Sequence, residues 1–188
     1  MKIKSFTKKA IALALLSGAA IGANAAVTDL GAISAGVPKP FSGYVLNPDS
    51  APFVTFTDVF LFTLPTNAGS GYSVIAFDIS PFFSSTFNTL ALLSYGPDGI
   101  PGNDDVTINV VTSPPAPDPK ALSFSQSTLP AGPYYLVVGG VGTGQLGGLY
   151  SGAISVTAVP EPESYALFLA GLGIMGAIAR RRSKANAA

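Results

Sequence analysis

Hydrophobic and polar positions alternate along most of this chain with a period of two, the repeat of a β-strand whose successive side chains face opposite ways. The clearest case runs from Phe53 to Leu64. Val54, Phe56, Asp58, Phe60, Phe62 and Leu64 fall on one face, and Thr55, Thr57, Val59, Leu61 and Thr63 on the other. The aromatic face is expected to be the core. Further strands are predicted over 72–79, which Pro81 ends, and over 87–95, which is apolar on both faces and therefore central. The segment 106–112 is nearly all β-branched and reads as a strand, as do 121–127, 133–141 and 149–159. Short strands are read around 32–33 and 44–46, within a stretch rich in Gly, Pro, Ser and Asn. The proline-rich segment 113–119 cannot pair as a central strand and reads as a surface loop. Gly139 to Gly148 holds six glycines in ten residues and reads as a flexible hairpin loop. Seven or eight short strands, with Gly and Pro between them and no helical period, predict an all-β domain. It is expected to be a single antiparallel β-sandwich or jelly-roll-like body.

Two apolar runs at the ends break the alternation, the first broken only by Ser17 and small residues. The first follows Lys2, Lys4, Lys8 and Lys9 and extends from Ala10 to Ala23. Ala23-Asn24-Ala25 places small residues where a signal peptidase reads them, so residues 1–25 are expected to be a signal peptide and the mature chain to begin at Ala26. An uncleaved anchor is the alternative, for which the run is short. The second run, Tyr165 to Ala179, carries no charge. Pro160-Glu161-Pro162 precedes it, and Arg180, Arg181 and Arg182 close it. Its helix would rise about 22 Å, short against a hydrocarbon core of roughly 30 Å, though local bilayer thinning can bridge part of the gap. The arginines would stay on the cytoplasmic side, leaving the rest of the chain across the membrane. Residues 26–158 are thus read as the body and 159–184 as a C-terminal segment with a transmembrane helix.

Setting the ends apart changes the charge picture. The whole chain is neutral, with ten basic and ten acidic residues. Between Ala26 and Val159 only Lys39 and Lys120 oppose eight aspartates, a net charge of −6. Such a body will not bind nucleic acid by electrostatics. The chain holds no Cys, His or Trp, which excludes thiol catalysis, a serine–histidine triad and the common zinc sites.

The order of Pro160-Glu161-Pro162, a short apolar helix and an arginine cluster resembles the PEP-CTERM sorting signal of exported bacterial proteins. The resemblance implies reading and removal of the tail by a membrane-embedded exosortase. An ordinary tail anchor whose linker happens to read Pro-Glu-Pro is the alternative. Phe56-Thr57-Asp58-Val59-Phe60 is similar to the Phe-x-Asp-x-Phe hallmark of the FxDxF group of PEP-CTERM proteins, to which no biochemistry is assigned. Leu129 to Val138, a leucine, a turn, a glycine and then Tyr-x-Val, resembles a strand start common in bacterial pre-peptidase C-terminal-like sandwiches.

Two places carry candidate chemistry. Asp58 stands between Phe56 and Phe60 on the apolar face, where an unpaired carboxylate would cost several kcal/mol. It is read either as a binding-site carboxylate or as one satisfied at a turn or strand end. Asp98, Asn103, Asp104 and Asp105 lie on a Gly/Pro-bent loop and could converge on calcium. Asp98-Gly99-Ile100-Pro101 resembles calcium loops of the thrombospondin type 3 kind, departing from them upstream at Ser94, Tyr95 and Gly96. No glutamate closes an EF-hand, and a solvated turn is the alternative. Asp58 and Asp78 could pair as glycosidase carboxylates, and Tyr44, Tyr72, Tyr134, Tyr135 and Tyr150 could serve as a sugar platform. Any acidic sandwich offers such pairs, so no enzymatic activity is expected.

The expectation is a structural or interaction protein, exported through an inner-membrane intermediate to the cell surface or an extracellular polysaccharide (biofilm) matrix. Signal peptidase and exosortase are its processing partners. A carbohydrate-binding module, assisted by calcium, is the alternative. N-terminal sequencing of the exported chain is expected to begin within one residue of Ala26; Met1 at its start would contradict the signal-peptide reading.

Overall fold

The computed structural model describes residues 25–48, 51–102, 104–112, 119–159 and 162–185. Alternation becomes nine strands: β1 (Val27–Ala32), β2 (Lys39–Leu46), β3 (Val54–Leu64), β4 (Ala68–Phe77), β5 (Ser85–Ser94), β6 (Val106–Thr112), β7 (Ala121–Leu129), β8 (Gly132–Gly142) and β9 (Gly147–Ala158). One helix, α1 (Pro162–Ala185), follows. The strands make two sheets, ordered β1-β3-β8-β5-β6 and β2-β9-β4-β7. The body through Ala158 and the segment from Val159 are separate compact units.

The inner faces of the two sheets supply one core. On β3, Phe56, Phe60, Phe62 and Leu64 are buried together with Asp58, as the alternation requires. Leu90 and Leu92 on β5, Leu136 and Val138 on β8 and Ile154 on β9 meet them with no exposed surface. Aromatic rings fill the middle: Phe41 lies 4.4 Å from Phe60 between centroids, and Phe56 stacks on Tyr150 at 5.2 Å.

Three rings sit directly opposite glycines across a ladder. Phe41 faces Gly152, Tyr150 faces Gly43, and Phe56 faces Gly140. A Cβ at Gly43 would overlap the Tyr150 ring, one at Gly152 the Phe41 ring, and one at Gly140 the Phe56 ring. Glycine in a strand normally weakens it; here each vacancy is the seat of a ring from the neighbouring strand.

The structure corrects several expectations. Antiparallel pairing holds except at β1, which runs parallel to β3 with Val27 opposite Val59. The glycine-rich segment 139–148 is not a flexible loop: Gly139, Gly140 and Gly142 belong to β8, and Gly147 and Gly148 to β9. β4 starts at Ala68, four residues ahead of the strand expected over 72–79. The proline-rich segment 113–118 lies outside the described residues.

Two buried hydroxyls, on Ser70 and Tyr72, have no partner of hydrogen-bonding geometry among the described residues. Burial pushes the Tyr72 phenol up to about 12, and Ser70 lies near enough to counter part of that shift.

Gly43→Ala is expected to destabilise the fold by about 1–3 kcal/mol through overpacking. Gly71→Ala, with open space around the added carbon, is expected to stay within about 0.5 kcal/mol of the parent. Denaturant unfolding of the two variants checks this contrast.

Candidate functional site

α1 starts at Pro162, where a proline's missing N–H and fixed φ suit the first helical position. Its 24 residues rise about 36 Å. Leu167, Phe168, Leu169, Leu172, Ile174, Met175 and Ile178 are all exposed, apolar on every side of the helix. Arg180, Arg181 and Arg182 fall in its last two turns. Among the described residues no helix is long and apolar enough to cross a membrane. The expected transmembrane helix is therefore corrected to a helix whose charge-free stretch is only Tyr165–Ala179. Pro160 and Glu161 lie outside the described residues, as does Ala23 at the other end.

Among the described residues the body holds one buried carboxylate, with a specific set of partners. Asp58, 3% exposed, accepts the Ala26 N–H on Oδ1 at 2.8 Å and the Tyr150 hydroxyl on Oδ2. β3 supplies the carboxylate and β9, in the opposite sheet, supplies the phenol, so the bond crosses the sandwich. Phe56 and Phe87 hold the Tyr150 ring, the first stacked and the second edge-on at 5.8 Å. Ala26 is pinned twice, because its carbonyl also accepts the Val59 N–H at 2.8 Å. Burial raises the Asp58 carboxyl above the ordinary range, against the hydrogen bonds from Tyr150 and Ala26. Burial and the bond to Asp58 push the Tyr150 phenol far up, so it remains a donor. Of the two readings of Asp58, the geometry fits a carboxylate satisfied internally.

The described aspartates of the 95–105 loop are each held in a different way. Asp105 accepts the Gly96 N–H on Oδ1 at 2.8 Å, and the Gly102 N–H at 2.7 Å and the Tyr135 hydroxyl at 2.6 Å on Oδ2. Asp98 accepts from Ile100 N–H within its own turn, where Gly99 takes a φ of 66°. The Asp104 carboxylate lies over Gly96, in the space a Cβ would fill. Asn103 is outside the described residues. Among the described residues no group of three or more acidic side chains is placed to hold a metal ion. Asp105 instead ties the loop to β8 through Tyr135, whose phenol burial and Asp105 together push upward.

The other candidate sites separate. Asp78 is exposed, beyond the end of β4, and pairs with Lys120 at 3.0 Å, far in character from the buried Asp58. Hydrogen bonds from Ser84 and Lys120 hold its carboxyl low. Asp78, Ser84, Thr143 and Gln145 line an open groove of about 460 Å³. Of the five tyrosines considered as a sugar platform, Tyr72, Tyr134, Tyr135 and Tyr150 are buried; Tyr44 alone is exposed, at 66%.

Tyr150 and Tyr135 as carboxylate partners were not foreseen. A count of donors would have pointed to a hydroxyl or amide partner without singling out Tyr150: between Ala26 and Val159 there are two lysines and no Arg, His or Trp.

Comparison with known proteins agrees with the tail. Residues 158–183 match the PEP-CTERM protein-sorting motif. That motif implies an exported protein processed by an exosortase at the membrane. Among solved structures, the chain is similar to the pre-peptidase C-terminal domain of a collagenase from Bacillus anthracis, at 14% identity over 70% of this chain and 94% of that one, with a TM-score of 0.38. The two-sheet architecture rests on the strand pairing itself and not on that likeness. No curated protein is detectably similar to the chain.

Asp105→Asn removes one acceptor oxygen while Gly96, Gly102 and Tyr135 still present three donors. It is expected to cost about 1–3 kcal/mol, the penalty of a donor left unpaired. Millimolar calcium is not expected to restore the loss; thermal unfolding with calcium and with chelator checks both statements.

Proposed function

We propose that the chain is an exosortase substrate whose β-sandwich body is delivered to the cell surface or the extracellular polysaccharide matrix as a structural or interaction module. The single observation carrying this reading is the sorting motif at residues 158–183. A charge-free stretch of fifteen residues is marginal as a lasting anchor and sufficient for a segment that is read once and cut. The Phe56-Thr57-Asp58-Val59-Phe60 pentapeptide supports placing the chain in the FxDxF group.

An exposed apolar row supports the interaction role. Tyr44 and Phe77 each face Leu149 across the β2-β9-β4 ladders, and Tyr44, Phe77 and the neighbouring Ile75 are at least half exposed. Exposed apolar residues grouped in this way mark contact surfaces more often than scattered ones do. The groove at Asp78, Ser84, Thr143 and Gln145 favours a second reading, carbohydrate binding, since its hydroxyl, amide and carboxylate groups suit sugar hydroxyls. A polysaccharide pull-down with and without chelator separates the two.

Replacing Glu161 by Ala is expected to leave uncut, full-length chain in the membrane fraction, read by intact mass. Unchanged C-terminal processing and surface delivery would overturn the sorting reading.

A further inference from the structure

A peptide N–H is a modest partner for a buried carboxylate. The N–H that Asp58 holds belongs to Ala26, the residue expected to become the first of the mature chain. Hydrolysis of the Ala25–Ala26 bond adds water across it: the hydroxyl goes to the Ala25 carbonyl, leaving a carboxylate on the released peptide. The Ala26 nitrogen gains the protons that make it an α-ammonium. We propose that Asp58 is the receptor for this new α-ammonium, so that removal of the signal peptide completes a half-buried ion pair that locks the chain start onto the sandwich. The inference rests on the reading that the signal peptide is cut before Ala26.

Four observations carry it. Asp58 is buried in an aromatic core, and the one ion pair among the described residues is Lys120–Asp78, so no cationic side chain serves it. Its Oδ1 already lies 2.8 Å from the nitrogen that would acquire the charge, so no rearrangement is required. The Ala26 carbonyl is fixed by the Val59 N–H, and Val27 opens β1 beside Val59, which holds that nitrogen in place. Ala25 and Ala26 are both exposed, so the further N–H bonds of an ammonium can be hydrated while one points at Asp58. The pair would therefore keep part of its solvation, which a wholly buried pair loses.

The other groups around Asp58 do not compete. Tyr150 faces it from β9 and stays neutral as a donor to Oδ2. Asp29, farther along β1, is exposed and accepts from the Gly31 N–H. On β3 itself the neighbours on the same face are Phe56 and Phe60.

The sign of the pH effect follows. With only a neutral N–H at Oδ1, burial raises the folded Asp58 pKa, so this group favours the fold at low pH and loses that contribution as pH rises through the folded value. With the ammonium present, an opposite charge favours the ionised carboxylate. The amine's folded pKa then lies above its unfolded value of about 7.7–8.0. Its contribution is complete below that unfolded value and is lost as pH rises through the folded one. The chain has no histidine and no cysteine, so the α-amine is the group that ordinarily titrates in this window.

The test compares the full chain from Ala26 to Ala188, in detergent, with one that begins at Ala25 and so carries its ammonium about 3.8 Å farther along the backbone. The α-amine of the first is expected to titrate at least about one unit above the ordinary 7.7–8.0, read by NMR. At neutral pH its melting temperature is expected to exceed that of the extended chain by about 2–4 °C, with the gap closing at alkaline pH. Asp58→Asn is expected to return the amine to its ordinary value; the comparison of the two chain starts needs no folded variant. An ordinary α-amine pKa, or a melting temperature indifferent to the extra residue, overturns the proposal. N-terminal sequencing of the exported protein separately decides where the chain is cut, so failure of the pairing and failure of the cleavage reading are distinct.

Discussion

A carboxylate inside an apolar core is tolerated only where donors surround it, and Asp58 sets that constraint for the whole sandwich. It belongs to β3 in the five-stranded sheet, and its partner Tyr150 belongs to β9 in the four-stranded one. Its other oxygen holds the backbone at Ala26. One side chain thus joins two sheets and the start of β1. Removing a single partner would leave a buried polar group unpaired, a larger loss than the net worth of either bond. Tyr150 can reach Asp58 only because Gly43 leaves room for its ring. The backbone composition of β2 therefore enters the electrostatics of β3.

The same complementarity repeats through the core. Gly152 seats Phe41 and Gly140 seats Phe56, while Phe41 and Phe56 in turn pack on Phe60 and Tyr150. A chain with no disulfide and few charges in its body gains its cohesion from these interlocked rings. Aromatic pairs in such offset or edge-on arrangements add about 0.5–1.5 kcal/mol each beyond their burial. The 95–105 loop follows the same economy, one carboxylate collecting two backbone amides and a phenol.

Much of the fold was legible because alternation is a local signal. β3 declared its inner face through Phe56, Phe60 and Phe62, and β5 through β9 appeared within a few residues of their observed bounds. Strand order is non-local, so nothing in Val27–Ala32 announced a parallel partner in β3. Gly139 to Gly148 misled because glycine composition looks the same whether the missing side chain gives freedom or gives space. Asp98, Asp104 and Asp105 suggested a cation because adjacent acids repel; amide and phenol donors, invisible in the spacing, answer Asp105 instead. The tail was legible in full as an ordered motif, but its apolar stretch fell short of a membrane span.

The body is held together by an internal carboxylate and is followed by a tail that matches a sorting motif. The central claim is that Asp58 and Tyr150 act as one unit across the sandwich. The most direct measurement is a double-mutant cycle on unfolding free energy, with Asp58→Asn, Tyr150→Phe and the pair. The account predicts a coupling of at least about 1 kcal/mol, as for groups sharing one buried hydrogen bond. Additive losses, with coupling below about 0.3 kcal/mol, would show that the two residues stabilise the fold independently and would contradict it.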